Sequence, residues 1–125
     1  ETLENIIRDN PIDFIQFNYS LRCRHAAERL FPAAIEKKVA VLINRPFEEG
    51  ALFSLSKGKP LPAWAAEFDC TSWAQFFLKF ILSNPAVTCV IPGTSKVKHL
   101  EDNLKAGIGK LPDEKRQRDM IKLFQ

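Results

Sequence analysis

Three short apolar runs, each preceded or followed by a helical pattern, set the rhythm of this chain. Ile12–Phe17 holds Ile12, Phe14, Ile15 and Phe17, with Asp13 near its start and Gln16 as the polar exception within the apolar stretch. Val39–Ile43 is apolar throughout, and Val87–Ile91 carries a single hydroxyl, Thr88. Runs of this length without alternation predict strands buried on both faces, as in a parallel sheet. Leu3, Ile6 and Ile7 predict a helix from Glu1 to about Asp9, stopped by Pro11. Trp73, Phe76, Phe77, Phe80 and Ile81 predict another, capped by Asp69, Thr71 or Ser72 and ended by Asn84-Pro85. Its aromatic stripe reads as core. Arg22–Lys38 holds a further helix, which should break near Phe31-Pro32 because an interior proline costs about 3 kcal/mol. A short turn and then a helix from Pro32 is the expectation. Glu48–Asp69, with Gly50, Gly58, Pro60 and Pro62, reads as one long loop anchored by Phe53 and Trp64. After Gly107 and Gly109, Pro112-Asp113-Glu114 opens a terminal helix, with Ile121 and Phe124 as its buried face and Met120 beside them. Strands alternating with helices predict an α/β protein whose parallel strands are joined by right-handed crossovers.

The stretch Val87–Leu104 says most about function. A strand passes through the turn Pro92-Gly93 to Thr94 and Ser95, hydroxyl residues suited to cap a helix. Val97, Leu100 and Leu104 then share one helical face. A strand, a tight turn and a helix start present free backbone N–H groups and the positive end of the helix dipole to an anion. Lys96, Lys98 and His99 stand where acidic residues would be favoured, and each misplaced cation costs roughly 0.3–1 kcal/mol. A bound phosphate would reverse that sign. Without one, the lysines are an ordinary solvated face.

IPGTSKVKHLEDN, Ile91–Asn103, resembles the C-terminal signature of the aldo/keto reductases, which follows the last strand of their (β/α)8 barrel. FIQFNYS, Phe14–Ser20, is similar to the family's sixth strand, and VAVLINRPF, Val39–Phe47, to its seventh. The resemblance runs from Glu1 to about Pro112. It implies a partial TIM barrel of about three parallel strands with flanking helices, residues 1–125 forming a single domain that is the C-terminal portion of the barrel. It also implies an NADP(H) site. Gly93, Thr94, Ser95, Lys96 and His99 would lie by the adenosine 2'-phosphate, Asp102 and Asn103 by the adenine, and Gln16 by the nicotinamide carboxamide. Gln16 reads equally well as an amide bonded within the barrel wall. Arg45 can pair with the pyrophosphate, as guanidinium groups do well. Asn44 departs from the pattern, since many family members carry a stacking aromatic residue there. The family's catalytic Asp, Tyr, Lys and His lie on earlier strands, so no catalytic residue is assigned to this chain.

The implied function is the cofactor-binding portion of an NADP-dependent reductase that moves hydride between NADPH and a carbonyl substrate, inactive by itself. The alternative is a non-catalytic truncated-barrel interaction protein that retains nucleotide binding. Expected partners are a nicotinamide dinucleotide and either a second copy of the chain or a missing N-terminal barrel half.

Composition narrows this further. The chain's 125 residues are about half the ~250 of a complete barrel. Its initial Glu1 rather than Met is expected of a fragment, a processed product or a shortened chain. With 18 basic against 15 acidic residues, the net charge of +3 gives no case for nucleic acid. Cys23, Cys70 and Cys89 lack metal-ligand or CxxC spacing and read as reduced thiols of a cytoplasmic protein. Cys23-Arg24-His25 has no further ligand nearby for a metal. Ser20, Cys23 and His25 have the residue types of a nucleophile group, but adjacency in sequence does not establish its geometry. Arg22, Arg24 and Arg29 read as a solvated face. No apolar run approaches the ~20 residues of a membrane span.

Overall fold

The three apolar runs pair side by side. The computed structural model describes residues 1–125. The chain runs α1 (Thr2–Asp9), β1 (Phe14–Asn18), α2 (Ala26–Lys37), β2 (Ala40–Asn44), α3 (Ala51–Ser56), α4 (Trp73–Leu82), β3 (Val87–Val90), α5 (Val97–Leu104) and α6 (Glu114–Leu123). The strands form one sheet in the order β1-β2-β3, with both pairings parallel. Phe14 pairs with Ala40 and Asn18 with Asn44, so the strand ends align at one edge of the sheet. Between β2 and β3 the register slips, Val41 facing Val87 while Leu42 faces Cys89. The extra residue is Thr88, whose Oγ1 accepts the Val41 N–H at 3.1 Å and so repairs the interrupted ladder.

Local chemistry explains the best-formed helices. Ser72 caps α4 by accepting the Gln75 N–H at 3.1 Å, and Asp113 caps α6 through the Arg116 N–H at 2.9 Å. Each such cap stabilises its helix by about 1 kcal/mol. Along α4, Phe76, Phe77, Phe80 and Ile81 are buried. Phe124, just past α6, meets Phe77 edge-on at 5.5 Å, with Met120 fully buried in the same helix. Phe53 packs on Phe47 and Phe77, while Trp64 packs between Phe68 and Phe76 and carries the Arg116 guanidinium over its ring at 5.1 Å.

One charged side chain lies inside this apolar layer. Lys79 of α4 is 0% exposed, and its Nζ donates to the carbonyls of Ile108 and Lys110, both at 2.8 Å. Burial pushes its ammonium below the ordinary lysine value. Next to it, Asp69 Oδ2 accepts the Lys110 N–H at 2.9 Å. Gly109, at φ +81°, passes so close that a Cβ would come within 2.6 Å of that oxygen. The segment linking α5 to α6 is thereby fastened to α4.

The structure corrects several expectations. The strands are covered on one face only: Ile15, Phe17, Val41 and Ile43 are buried, but Phe14 is 63% exposed and Gln16 and Asn18 lie open. Continuous apolar runs report hydrophobicity, not what is present to cover it. The helix Ala26–Lys37 runs through Pro32 without a break. Pro32 and Glu28, one turn before it, are both exposed while Phe31, Ala33 and Ala34 are buried, so the proline lies on the water-facing side of the helix. The expected loop Glu48–Asp69 contains α3 and 3-10 turns at Glu48–Gly50 and Ala63–Phe68, which its prolines and glycines concealed. Neither Thr94 nor Ser95 caps α5; that helix starts later, with Lys96 at the N-cap and no side-chain cap bond. Its apolar stripe is uncovered, with Val97 71%, Leu100 48% and Leu104 63% exposed. The three arginines are also more engaged than a solvated face requires. Arg29 pairs with Glu4, Arg22 with Glu48, and Arg24 bonds the Leu21 carbonyl.

Candidate functional site

Two clefts open among the connections that follow the strands, the first of them against the start of α4 and the body of α5. The larger, about 470 Å³, is bounded by Phe47, Phe53 and Trp73 on one side and by Gly93, Thr94, His99, Asp102 and Asn103 on the other. Its volume and its mixture of rings with a few polar groups are those of a small-molecule site. Asp102 is held from below. Its Oδ2 accepts from Ser72 Oγ and its Oδ1 from Gln75 Nε2, each at 2.7 Å. Gln75 is itself buried and fixed, its Oε1 accepting from the Thr71 N–H at 3.0 Å and from Thr71 Oγ1 at 3.1 Å. A carboxylate oxygen has two lone-pair sites, so each oxygen of Asp102 keeps one for a donor in the cleft. Thr94 Oγ1 accepts the Lys96 N–H at 3.2 Å, and the first backbone donors of α5 have no side-chain cap. With Lys96, Lys98 and His99 around an uncapped helix start, that end of the cleft favours an anion.

The second cleft, about 210 Å³, lies between the connections after β1 and β2 and is lined by Asn18, Tyr19, Ser20, Cys23, Arg45, Glu48 and Glu49. Arg45, Glu48 and Glu49 have φ of 49°, 53° and 57°, left-handed values that cost a non-glycine residue about 1–2 kcal/mol each. Such strain persists where surrounding bonds over-determine the backbone. Glu48 supplies them. Its Oε2 accepts from Ser20 Oγ at 2.8 Å, and its Oε1 accepts from Arg22 Nε at 3.1 Å and Nη2 at 2.9 Å. Arg45 pairs with Glu49 at 3.2 Å. Tyr19 is buried, which pushes its phenol above the ordinary value.

Comparison with known proteins gives this geometry a context. The pattern of the aldo/keto reductase family matches residues 1–119. The chain belongs to the aldo/keto reductase family. An uncharacterised oxidoreductase of Schizosaccharomyces pombe is 37% identical over 79 residues, 63% of this chain and 25% of that protein. Aldo-keto reductase AKR11C1 of Bacillus halodurans, in its holo form, superposes with a TM-score of 0.73 at 21% identity, over 99% of this chain and 46% of its own. A thermostable aldo-keto reductase solved with the inhibitor epalrestat gives a TM-score of 0.69 at 21% identity, over 92% of this chain and 41% of its own. The aldo/keto reductase chain described here therefore spans a quarter of that relative and less than half of each solved barrel. Its three parallel strands and flanking helices match part of those barrels.

The residues singled out in this aldo/keto reductase chain are distributed unevenly. Gly93, Thr94, His99, Asp102 and Asn103 share the larger cleft. Ser95 and Lys96 lie just outside its lining, in the turn that leads to it. Arg45 belongs to the smaller cleft. Gln16 stands on the open sheet face, where its amide donates to Asn44 Oδ1, so it is not the buried wall amide of the sequence reading. Sequence reasoning missed four contributors. Phe47 and Trp73 line the larger cleft, Gln75 orients Asp102, and Glu48 ties two loops together. Trp73 was legible only as part of an aromatic stripe. Gln75, one of two polar residues within that stripe along with Lys79, was a signal available to be read.

Proposed function

We propose that this chain is the cofactor-binding C-terminal portion, strands six to eight, of an NADP-dependent aldo/keto reductase. One observation carries the reading. Five of the residues matched to the family's adenosine site converge on a single cleft beside an uncapped, lysine-flanked helix start. Aldo/keto reductases bind nicotinamide cofactors, and the residues here suit one that carries an extra phosphate. Asp102 and Asn103 would hold the adenine, with Asp102 already oriented by Ser72 and Gln75. Thr94, Ser95, Lys96 and His99 would take the 2'-phosphate at the positive end of α5. Arg45 would meet the pyrophosphate, and Gln16 the nicotinamide carboxamide, beside Asn44 rather than an aromatic ring. The bound nicotinamide supplies the hydride chemistry. This chain's own part is to bind and orient the dinucleotide. It is inactive alone, because the family's proton-donating group belongs to strands outside it. A second reading, a non-catalytic interaction protein that keeps nucleotide binding, is favoured by the open sheet face and the exposed stripe of α5.

Lys96 separates recognition from structure. A charge-assisted hydrogen bond contributes roughly 1.5–3 kcal/mol, so Lys96→Ala should weaken NADP(H) binding about ten-fold or more. NAD(H), which lacks the 2'-phosphate, should change little. Titration calorimetry of both nucleotides on both proteins checks this. An equal loss for the two would assign Lys96 to structure and remove the support for phosphate recognition.

A further inference from the structure

The smaller cleft contains a group that dinucleotide binding does not use. Ser20 and Cys23 exchange backbone hydrogen bonds, Ser20 N–H to Cys23 O at 3.0 Å and Cys23 N–H to Ser20 O at 3.2 Å. Ser20 Oγ accepts the same Cys23 N–H at 3.1 Å and is itself fixed to Glu48. The backbone carrying Cys23 is therefore held in a closed turn. Its Sγ lies 3.6 Å from Nε2 of His25, the exposed residue at the N-cap of α2, and Cys23 is one of the residues lining the cleft of about 210 Å³. A thiol within hydrogen-bond reach of an imidazole, at the wall of a cleft, is the arrangement of an activated sulfur nucleophile.

The other two cysteines lack one or both of these features. Cys70 is buried, and its thiol is pushed up to about 11. Cys89 is exposed, but its Sγ has only the Val90 carbonyl at 3.7 Å. Access alone would favour Cys89; access together with a base favours Cys23.

We propose that Cys23 is a modification site for small disulfides, with His25 as its base. His25 Nε2 takes the thiol proton, and the sulfur attacks one sulfur of the incoming disulfide. A bond from Cys23 forms as the original disulfide bond breaks, and the departing thiolate takes the proton from His25. Cys23 ends oxidised as a mixed disulfide, and half of the reagent ends reduced to a thiol. The charged and titratable groups around the pair are Tyr19, Arg22, Arg24 and Glu28 on its own side of the cleft, with Arg45, Glu48 and Glu49 opposite. Arg22 is neutralised by Glu48 and Arg45 by Glu49.

The test treats the full chain with less than one equivalent of dithiodipyridine, an aromatic disulfide, and locates the adduct by peptide mass spectrometry. Cys23 should be labelled first. His25→Gln should slow that labelling at least about ten-fold and remove the imidazole inflection from its pH profile. His25 makes no side-chain capping bond, so this substitution leaves α2 intact. Cys89→Ala should leave the rate at Cys23 unchanged. First labelling at Cys89, or a His25→Gln rate within about two-fold of the parent, would overturn the proposal.

Discussion

Replacing Lys79 by methionine is expected to lower the melting temperature of this chain by about 10 °C or more. Methionine keeps most of the volume but donates no hydrogen bond. The carbonyls of Ile108 and Lys110 would then point at an apolar group in place of Nζ. Each buried acceptor left without a partner costs about 1–3 kcal/mol, so a loss of roughly 2–4 kcal/mol follows. Lys79→Ala should cost more, because a cavity opens where the fully buried side chain stood as well. The folded lysine value lies below the unfolded one of 10.5, so the unfolded chain binds the proton more tightly. Stability should accordingly rise as pH climbs from the folded value through 10.5, and Lys79→Met should flatten that rise. Thermal melts followed by circular dichroism at neutral and alkaline pH check both effects. A methionine variant that melts with the parent would mean that water replaces Nζ at no cost.

The isolated chain is expected to self-associate in dilute buffer. Its sheet ends at β1 on one side and β3 on the other, and both edges carry unpaired backbone groups. Phe14, Val97, Leu104 and Ile108 are each more than 60% exposed. Copies joined edge to edge give six or nine strands, never the eight whose tilt and stagger close this family's barrel. Association should therefore be concentration-dependent and lack a single closed stoichiometry. Light scattering should show more than one chain per particle, and Phe14→Lys together with Leu104→Glu should shift the distribution toward monomer. A stable monomer with well-dispersed NMR signals would show that the free chain covers these surfaces in some other way.

Much of the frame was legible in the sequence because strand runs and helix caps are local. Val39–Ile43, and a cap for α4 at Asp69, Thr71 or Ser72, could be read without knowing their neighbours. The family motif was legible for the same reason, since Gly93 to Asn103 is one turn and one helix. What escaped depends on the third dimension. Phe14 is apolar whether or not anything covers it. Pro32 is tolerable only because its side of α2 faces water, and a linear pattern with an expected break cannot reveal that. Gln75 and Asp102 are far apart in the chain yet share a hydrogen bond, so the support beneath the larger cleft had no sequence signature. Cys23 and His25 were visible as neighbours, but their separation of 3.6 Å was not.

The central claim is that the cleft beside α5 recognises the 2'-phosphorylated dinucleotide. Trp73 lines that cleft, whereas Trp64, the other of the two tryptophans, does not. In a Trp64→Phe background, Trp73 fluorescence therefore reports occupancy directly. Titration with oxidised NADP should quench it saturably, and NAD should require about ten-fold more nucleotide or greater, the equivalent of one charge-assisted contact. Equal midpoints for the two nucleotides, or no saturable change in a chain shown to be folded, would contradict the account.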